Sequence, residues 1–321
     1  MSPKVKWGVL GYARIAKNNV IPAINRTDNS EFYALASSDQ TKLEECRSQF
    51  NCSKLYDSYE GLLDDPQVQA VYISLPNSLH KEWAIKAMNK GKHVLCEKPL
   101  ALTAAECEAM IAVAAKNRVL LMEAFMYRYT DRSAKVRQIL ASGEIGAIKY
   151  INSTFRFFLD RANNIRNKPE LGGGSLYDVG CYPVNFVGMV TGRLPESYSV
   201  ECILENGVDV IFSAVLRYSD GAIATINSGF NAFGEMRSEV IGTKGRLEIP
   251  DTFMGDAGYI NVITAEGTRQ APVAESDRYG LEVADFAAAV LEERAPLLGL
   301  DESLRNMSLI EGLMELAHNK K

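Results

Sequence analysis

The chain has 321 residues, 47% apolar and 23% charged, with a net charge of −5 and a pI near 5.5. It is longer than the roughly 100–200 residues of one domain, so two domains with separate cores are expected. The acidic balance and the lack of a basic run argue against nucleic acid or an anionic membrane as partner, and no apolar run approaches the ~20 residues of a membrane span. The N-terminal stretch MSPKVKWGVLGYARIA interrupts its apolar run with Lys6 and Arg14 and shows no cleavage pattern, so a cytoplasmic protein is expected. Cysteines 46, 52, 96, 107, 181 and 202 form no CxxC pair and only three histidines exist, so neither a disulfide framework nor a metal site is expected.

In chain order, VKWGVL (5–10) reads as a buried strand, and Ile15, Ile21 and Ile24 follow at helical spacings. FYALAS (32–37) is a strand, KLEECRSQF (42–50) a helix, Lys54-Leu55-Tyr56 a short strand and YEGLLDD (59–65) a short helix. AVYISL (70–75) precedes a helix carrying Trp83, Ala84, Ala87 and Met88, and HVLCE (93–97) is the next strand. Thr103-Ala104-Ala105-Glu106 is a capping-box pattern opening a helix to about Asn117, and VLLMEA (119–124) is a strand. Continuous apolar runs between helices are the pattern of parallel strands buried on both faces.

After a helix near 131–142 the pattern alternates in YINSTFRFF (150–158), VDVIFSAVLRY (208–218), AIATINSGF (222–230), EVIGTKGRLEI (239–249) and YINVIT (259–264). Ser219-Asp220-Gly221 and Gly242-Thr243-Lys244-Gly245 are turn chemistry, so an antiparallel or mixed sheet is expected. Helices at about 278–294 and 302–318 close the chain. The expected fold is α/β, with an N-terminal Rossmann dinucleotide-binding domain over 1–122. A C-terminal α/β domain with a large open mixed or antiparallel sheet is expected over 123–321.

Gly11-Tyr12-Ala13-Arg14-Ile15-Ala16 stands between a strand and a helix, where the G-x-G-x-x-G fingerprint belongs. Gly11 suits the tight turn, and Ala13 and Ala16 are the next smallest residues for backbone approach to a pyrophosphate and for helix packing. At the end of the second strand, Ser37, Ser38 and Lys42 favour NADP(H); Asp39 would accept a free ribose 2′-OH and keeps NAD(H) open. HVLCE stops on Glu97-Lys98-Pro99, at a strand end where ligands bind in open parallel sheets, and Pro99 biases Lys98 toward extended backbone.

Several separated motifs resemble the Gfo/Idh/MocA family of oxidoreductases over nearly the whole chain. They are GVLGYARIA (8–16), LPNSLHKEWAIKAMNKGKHVLCEKPLAL (75–102), EAFMYRY (123–129) and NIRNKPELGGGSLYDVGCYPVNF (164–186), with weaker support from SSDQTK (37–42) and RYGLEVADFAAAV (278–290). The resemblance implies a Rossmann domain followed by an α/β domain whose sheet forms homodimers or higher homo-oligomers. It also implies an enzyme that moves a hydride between NADP(H), or NAD(H), and a secondary alcohol or carbonyl of a sugar, polyol or cyclic diol. Carried over by motif, Lys98 is the acid/base or substrate-anchoring lysine and Asp178 the aspartate after the glycines. Tyr182 stands where many members have histidine, as in the mostly NADP-using branch of glucose–fructose oxidoreductase, xylose dehydrogenases and dimeric dihydrodiol dehydrogenase.

The expected cofactor contacts are Gly11, Tyr12, Ala13, Arg14, Ile15, Ser37, Ser38, Lys42, Leu75, Pro76, Asn77, His80, Glu97 and Lys98. The expected substrate contacts are Lys98, Phe125, Arg128, Asp178, Tyr182 and Tyr279; Arg161 and Arg166 are either site or surface cations. The resemblance also suggests a cis Lys98–Pro99 bond. Lysine and tyrosine both start near pKa ~10, and a neighbouring cation lowers a tyrosine's value, so a Lys98–Tyr182 pair suits proton exchange near neutral pH. Lys98 could also polarise a carbonyl oxygen, and Asp178 could orient Lys98 or bond a sugar hydroxyl. Gly172-Gly173-Gly174 would let backbone donors and the helix start approach a ligand. No cationic cluster near Asp178 is evident, which favours a neutral polyol over a phosphorylated one. The alternatives are a redox-neutral NAD-dependent glycosidase or lyase of the same superfamily, and a non-catalytic sugar or nucleotide sensor.

Overall fold

The computed structural model describes residues 3–160 and 164–319. Strands β1 (Val5–Leu10), β2 (Ser30–Ala36), β3 (Lys54–Tyr56), β4 (Ala70–Ile73), β5 (His93–Glu97) and β6 (Leu121–Ala124) form one parallel sheet in the order β3-β2-β1-β4-β5-β6. This is the doubly wound order, and it reverses between β1 and β4. Leu10 of β1 pairs with Ile73 of β4, and Ile73 with Cys96 of β5, so three strand ends lie side by side. All four residues of β4 are buried, which accounts for an uninterrupted apolar run.

Between the strands come a π-turn (Ala16–Val20) running into α1 (Ile21–Arg26), then α2 (Gln40–Gln49), α3 (Tyr59–Leu63), α4 (His80–Asn89) and α5 (Ala104–Asn117). The α5 capping box forms with a shift. Thr103 Oγ1 accepts from the Glu106 N–H, whereas the Glu106 carboxylate accepts from the Leu102 N–H, one residue before the cap.

In the second half, α6 (Asp131–Ser142) leads into β7 (Ile148–Phe158), and a π-turn (Leu176–Gly180) runs into α7 (Cys181–Thr191). Strands β8 (Ser197–Glu205), β9 (Val208–Arg217), β10 (Ile223–Gly229), β11 (Asn231–Gly242), β12 (Gly245–Ile249), β13 (Gly258–Thr264) and β14 (Gly267–Val273) complete the second sheet, followed by α8 (Arg278–Glu292) and α9 (Leu300–Asn319). The sheet order is β14-β13-β12-β11-β7-β10-β9-β8; β7 and β10 run parallel and the other neighbours antiparallel. Ile151, Ser153 and Phe155 of β7 are buried on one face, whereas the other carries hydrogen-bonded polar rungs, among them Thr225 to Asn152 at 2.7 Å and Ser213 to Asn227 at 2.8 Å.

The sequence pattern did not single out β8 and β14, which form the two edges of this sheet. Edge strands bury little: much of β8 is exposed, and β14 carries Pro272, which an edge tolerates.

The chain does not divide once. Met1–Met126 together with Asp277–Leu304 forms one compact unit, and Tyr127–Ser276 together with Arg305–Lys321 the other. The helix α8, which periodicity alone placed with the C-terminal half, therefore belongs to the first unit. Phe286 of α8 packs on Trp7 of β1 with ring centroids 5.4 Å apart, Asn29 donates to the Ala284 carbonyl, and Arg26 makes a two-pronged pair with Asp277. The ion pair is half exposed and contributes little; the fully buried aromatic contact dominates. Phe286→Ala should lower the unfolding free energy by about 3–5 kcal/mol in urea titration, and a loss below about 1 kcal/mol would contradict this packing.

Candidate active site

The turn after β1 is built on Gly11, whose φ of +86° belongs to glycine. Its N–H donates to Ala36 O, and a Cβ there would sit 2.8 Å from the Leu75 side chain. Tyr12 is buried with its hydroxyl donating to Gln49 of α2, Arg14 is exposed, and Ala13 and Ile15 are half-buried. The first N–H groups of the helical run that begins at Arg14 have no intrahelical partner, a geometry that suits a phosphate.

At the end of β2, Ser37 is buried and its hydroxyl accepts from the Asp39 N–H. Asp39 caps α2: its Oδ1 accepts from the Thr41 and Lys42 N–H groups at 3.0 and 3.4 Å. The carboxylate that left NAD(H) open is thus engaged with its own helix, while Ser38 and Lys42 are exposed beside it.

Beyond β4 and β5 lie Leu75-Pro76-Asn77 and Glu97-Lys98-Pro99. The Lys98–Pro99 peptide is cis, and Glu97 and Lys98 are half-buried. Tyr72 is fully buried and donates to Glu97 Oε1 at 2.5 Å. Tyr279 and Glu282 stand on α8 near that carboxylate. Burial first, and then the Glu97 charge, push Glu282 well above the carboxylate range and raise the Tyr279 phenol.

His80, expected as a cofactor contact, has no exposed surface. Its Nδ1 lies 2.9 Å from Pro99 O and its Nε2 2.9 Å from Leu75 O. Burial lowers the imidazole pKa, and Lys98 lowers it further against the two carbonyls, which raise it. Phe125 is buried in the same unit.

The second unit holds Asp178, Tyr182 and Arg128. The glycine run expected to offer N–H donors to a ligand spends them internally: Gly172, Gly173 and Gly174 donate to Pro169 O, Lys168 O and Arg166 O. A Cβ at Gly173 would meet Arg166 O at 2.5 Å, and one at Gly174, where φ is +109°, would meet Asp209 Oδ1 at 2.2 Å. The helix start is likewise occupied, because buried Asp209 accepts from Leu176 N–H at 2.8 Å and from Ser175 Oγ at 2.6 Å. Close packing is what requires Gly173 and Gly174, and a φ of +74° suits Gly172 to glycine.

Asp178 follows in the π-turn with its side chain 15% exposed, and Arg166 Nε donates to it at 2.5 Å. The cation that the sequence did not tie to Asp178 is therefore neutralised by it. Tyr182 packs its ring among Tyr127, Phe155 and Phe253 at centroid distances of 5.8, 5.3 and 5.5 Å. Arg128 is buried, and it and Tyr127 both donate to Asn185, three residues after Tyr182. Arg161 lies outside the described residues.

The sequence reading missed Glu123 and Asp209. Each is a carboxylate set inside an apolar strand run, and that placement was the available signal. Burial pushes Glu123 up to about 7, opposed by its bonds to Ser303 and Leu100, and pushes Asp209 up to about 6, opposed by Ser175 and Leu176.

A family model described as an oxidoreductase family with an NAD-binding Rossmann fold matches residues 5–125, and a GFO/IDH/MocA C-terminal domain model matches 133–248. A D-xylose 1-dehydrogenase (NADP(+)) of Haloferax volcanii is 37% identical over 316 residues, covering 97% of both chains. A trans-1,2-dihydrobenzene-1,2-diol dehydrogenase of Xenopus tropicalis is 35% identical over 252 residues, 76% of this chain and 75% of its own. A 3-ketoreductase from Actinomadura kijaniata, crystallised with NADP and TDP-benzene, superposes with a TM-score of 0.90 at 28% identity over 97% of both chains. An aldose-aldose oxidoreductase from Caulobacter crescentus, crystallised with glycerol, gives 0.92 at 26% identity over 99% of this chain and 98% of its own.

The buried Asp209 gives the fold a pH signature. Its folded value lies above the ordinary carboxylate value of 3.8, so the folded chain holds that proton more tightly than the unfolded chain does. Its contribution is fully present below about pH 4 and is lost as pH rises toward about 6. Across that window wild type should lose on the order of 2 kcal/mol relative to Asp209→Asn, read from urea titrations at each pH; parallel stability curves would contradict it.

Proposed function

This chain belongs to the GFO/IDH/MocA family of oxidoreductases, and we propose that it moves a hydride between NADP(H) and a secondary alcohol or carbonyl of a sugar, polyol or cyclic diol. The full-length likeness to an NADP-dependent xylose dehydrogenase carries this reading. We assign the cofactor to the parallel sheet of the first unit, with substrate binding and self-association assigned to the sheet of the second unit.

The Gly11 turn and the helix start after it would hold the pyrophosphate. Ser38 and Lys42 would take the 2′-phosphate, which the helix-capping role of Asp39 supports. When bound, the nicotinamide supplies or accepts the hydride. The protein is left with the proton on the substrate oxygen. Lys98 hydrogen-bonds that oxygen and favours the charge that develops on it, Tyr182 gives or takes the proton, and Asp178, steadied by Arg166, bonds a neighbouring hydroxyl. The Actinomadura ketoreductase has been crystallised with its cofactor after substitution of a lysine and of a tyrosine. Those two residues lie as far apart in its sequence as Lys98 and Tyr182 do here, which supports the pairing.

The test is absorbance at 340 nm with NADP+ and a panel of aldoses, inositols and diols, D-xylose included. Reduction of NADP+ is expected with at least one of them. Lys98→Met and Tyr182→Phe should each lower kcat by about 10²–10⁴-fold while NADP+ binding stays within a few-fold. Lys42→Ala should raise KM for NADP+ by roughly tenfold and leave KM for NAD+ unchanged. A cofactor that co-purifies and keeps its redox state while substrate is consumed would instead indicate a redox-neutral glycosidase or lyase.

A further inference from the structure

We propose that His80 and Glu123 are positioning residues that grip the Pro99–Leu100 peptide group from its two edges and so hold the backbone that carries Lys98; the inference rests on the role given to Lys98 above. The carbonyl of Pro99 and the N–H of Leu100 belong to one peptide plane. His80 Nδ1 lies 2.9 Å from that carbonyl oxygen, and Glu123 Oε1 accepts from that N–H at 2.9 Å. The two side chains come from different elements, the first turn of α4 and the middle of β6, so the plane is fixed from two directions.

Water cannot replace either partner, because His80 is 0% and Glu123 3% exposed. The proline ring already sets φ of Pro99. Orienting the peptide plane that follows sets its ψ, so the residue after Lys98 has both backbone dihedrals determined. The other ring nitrogen of His80, Nε2, lies 2.9 Å from Leu75 O, just past β4. Both of its partners are carbonyls, and a neutral imidazole donates at one nitrogen only, so the grip requires the hydrogen on Nδ1. Structural burial alone does not require this chemistry: an apolar side chain fills either space without carrying a titratable group into the core.

Two measurements on the full chain test the grip without a substrate. In the wild type the Leu100 amide should exchange with solvent slowly, and the ¹⁵N spectrum of His80 should show a protonated Nδ1. In Glu123→Ala the Leu100 amide should exchange about 100-fold faster or more, whereas Glu123→Gln, which keeps an acceptor oxygen, should stay near wild type. With NADP+ and D-xylose, Glu123→Ala should lower kcat by about tenfold or more with NADP+ Kd within about threefold, and Glu123→Gln should restore most of it. His80→Leu carries the same expectation should Glu123→Ala not fold. Unchanged Leu100 exchange and kcat in both variants, or an unprotonated Nδ1, would overturn the proposal. If Lys98→Met leaves kcat unaltered, the role of Lys98 fails instead, and the exchange data still judge the grip.

Discussion

Peptide groups at the ends of buried strands have neither a ladder partner nor water, and each must be hydrogen-bonded by something else. Much of the first unit follows from how it meets that constraint. Strands β1, β4 and β5 end side by side, so several orphan carbonyls and N–H groups collect in one place. Ser74 donates to the carbonyls of Leu10 and Gly11, His80 faces those of Leu75 and Pro99, and Glu123 accepts from Leu100. The residues that satisfy the backbone are those that fix where Gly11, Asn77 and Lys98 stand. The second unit uses the same device, with Asp209 taking the N–H that opens the helical run bearing Asp178 and Tyr182.

Magnitudes explain why such groups carry more weight than the more numerous surface ion pairs. A buried donor left without a partner costs about 1–3 kcal/mol, whereas an exposed pair such as Arg26–Asp277 contributes about 0–1 kcal/mol. The price of the arrangement is visible in the titration of its members: Glu123 sits near 7 and Asp209 near 6, each raised chiefly by burial. Carboxylates that are costly to bury are retained where they hold a backbone N–H still.

The sequence made the parallel sheet legible because strands buried on both faces read as unbroken apolar runs, as in Ala70–Ile73. It made Gly11 and Lys98 legible because both stand at strand ends next to turn formers. It did not reveal the edge strands β8 and β14, whose exposure removes the apolar signal, nor that α8 packs on Trp7, because amphipathicity shows a face and not its partner. The three glycines misled for a similar reason. Flexibility is a property of the residue, but the atoms that demand it at Gly173 and Gly174, Arg166 O and Asp209 Oδ1, belong to segments that meet only in the fold. His80 read as a cofactor contact in the sequence, and its burial between two carbonyls is a placement that only tertiary structure displays.

The oxidoreductase reading stands or falls on whether the substrate's own hydrogen reaches the cofactor. Aldoses deuterated at C1, D-xylose first, and cyclic diols deuterated at their carbinol carbons can be mixed with NADP+ and the protein, and the dinucleotide then examined by mass spectrometry. The account predicts reduced nicotinamide carrying one deuterium from the substrate. Turnover of a substrate that leaves the nicotinamide oxidised, or reduced cofactor without the label, would contradict it.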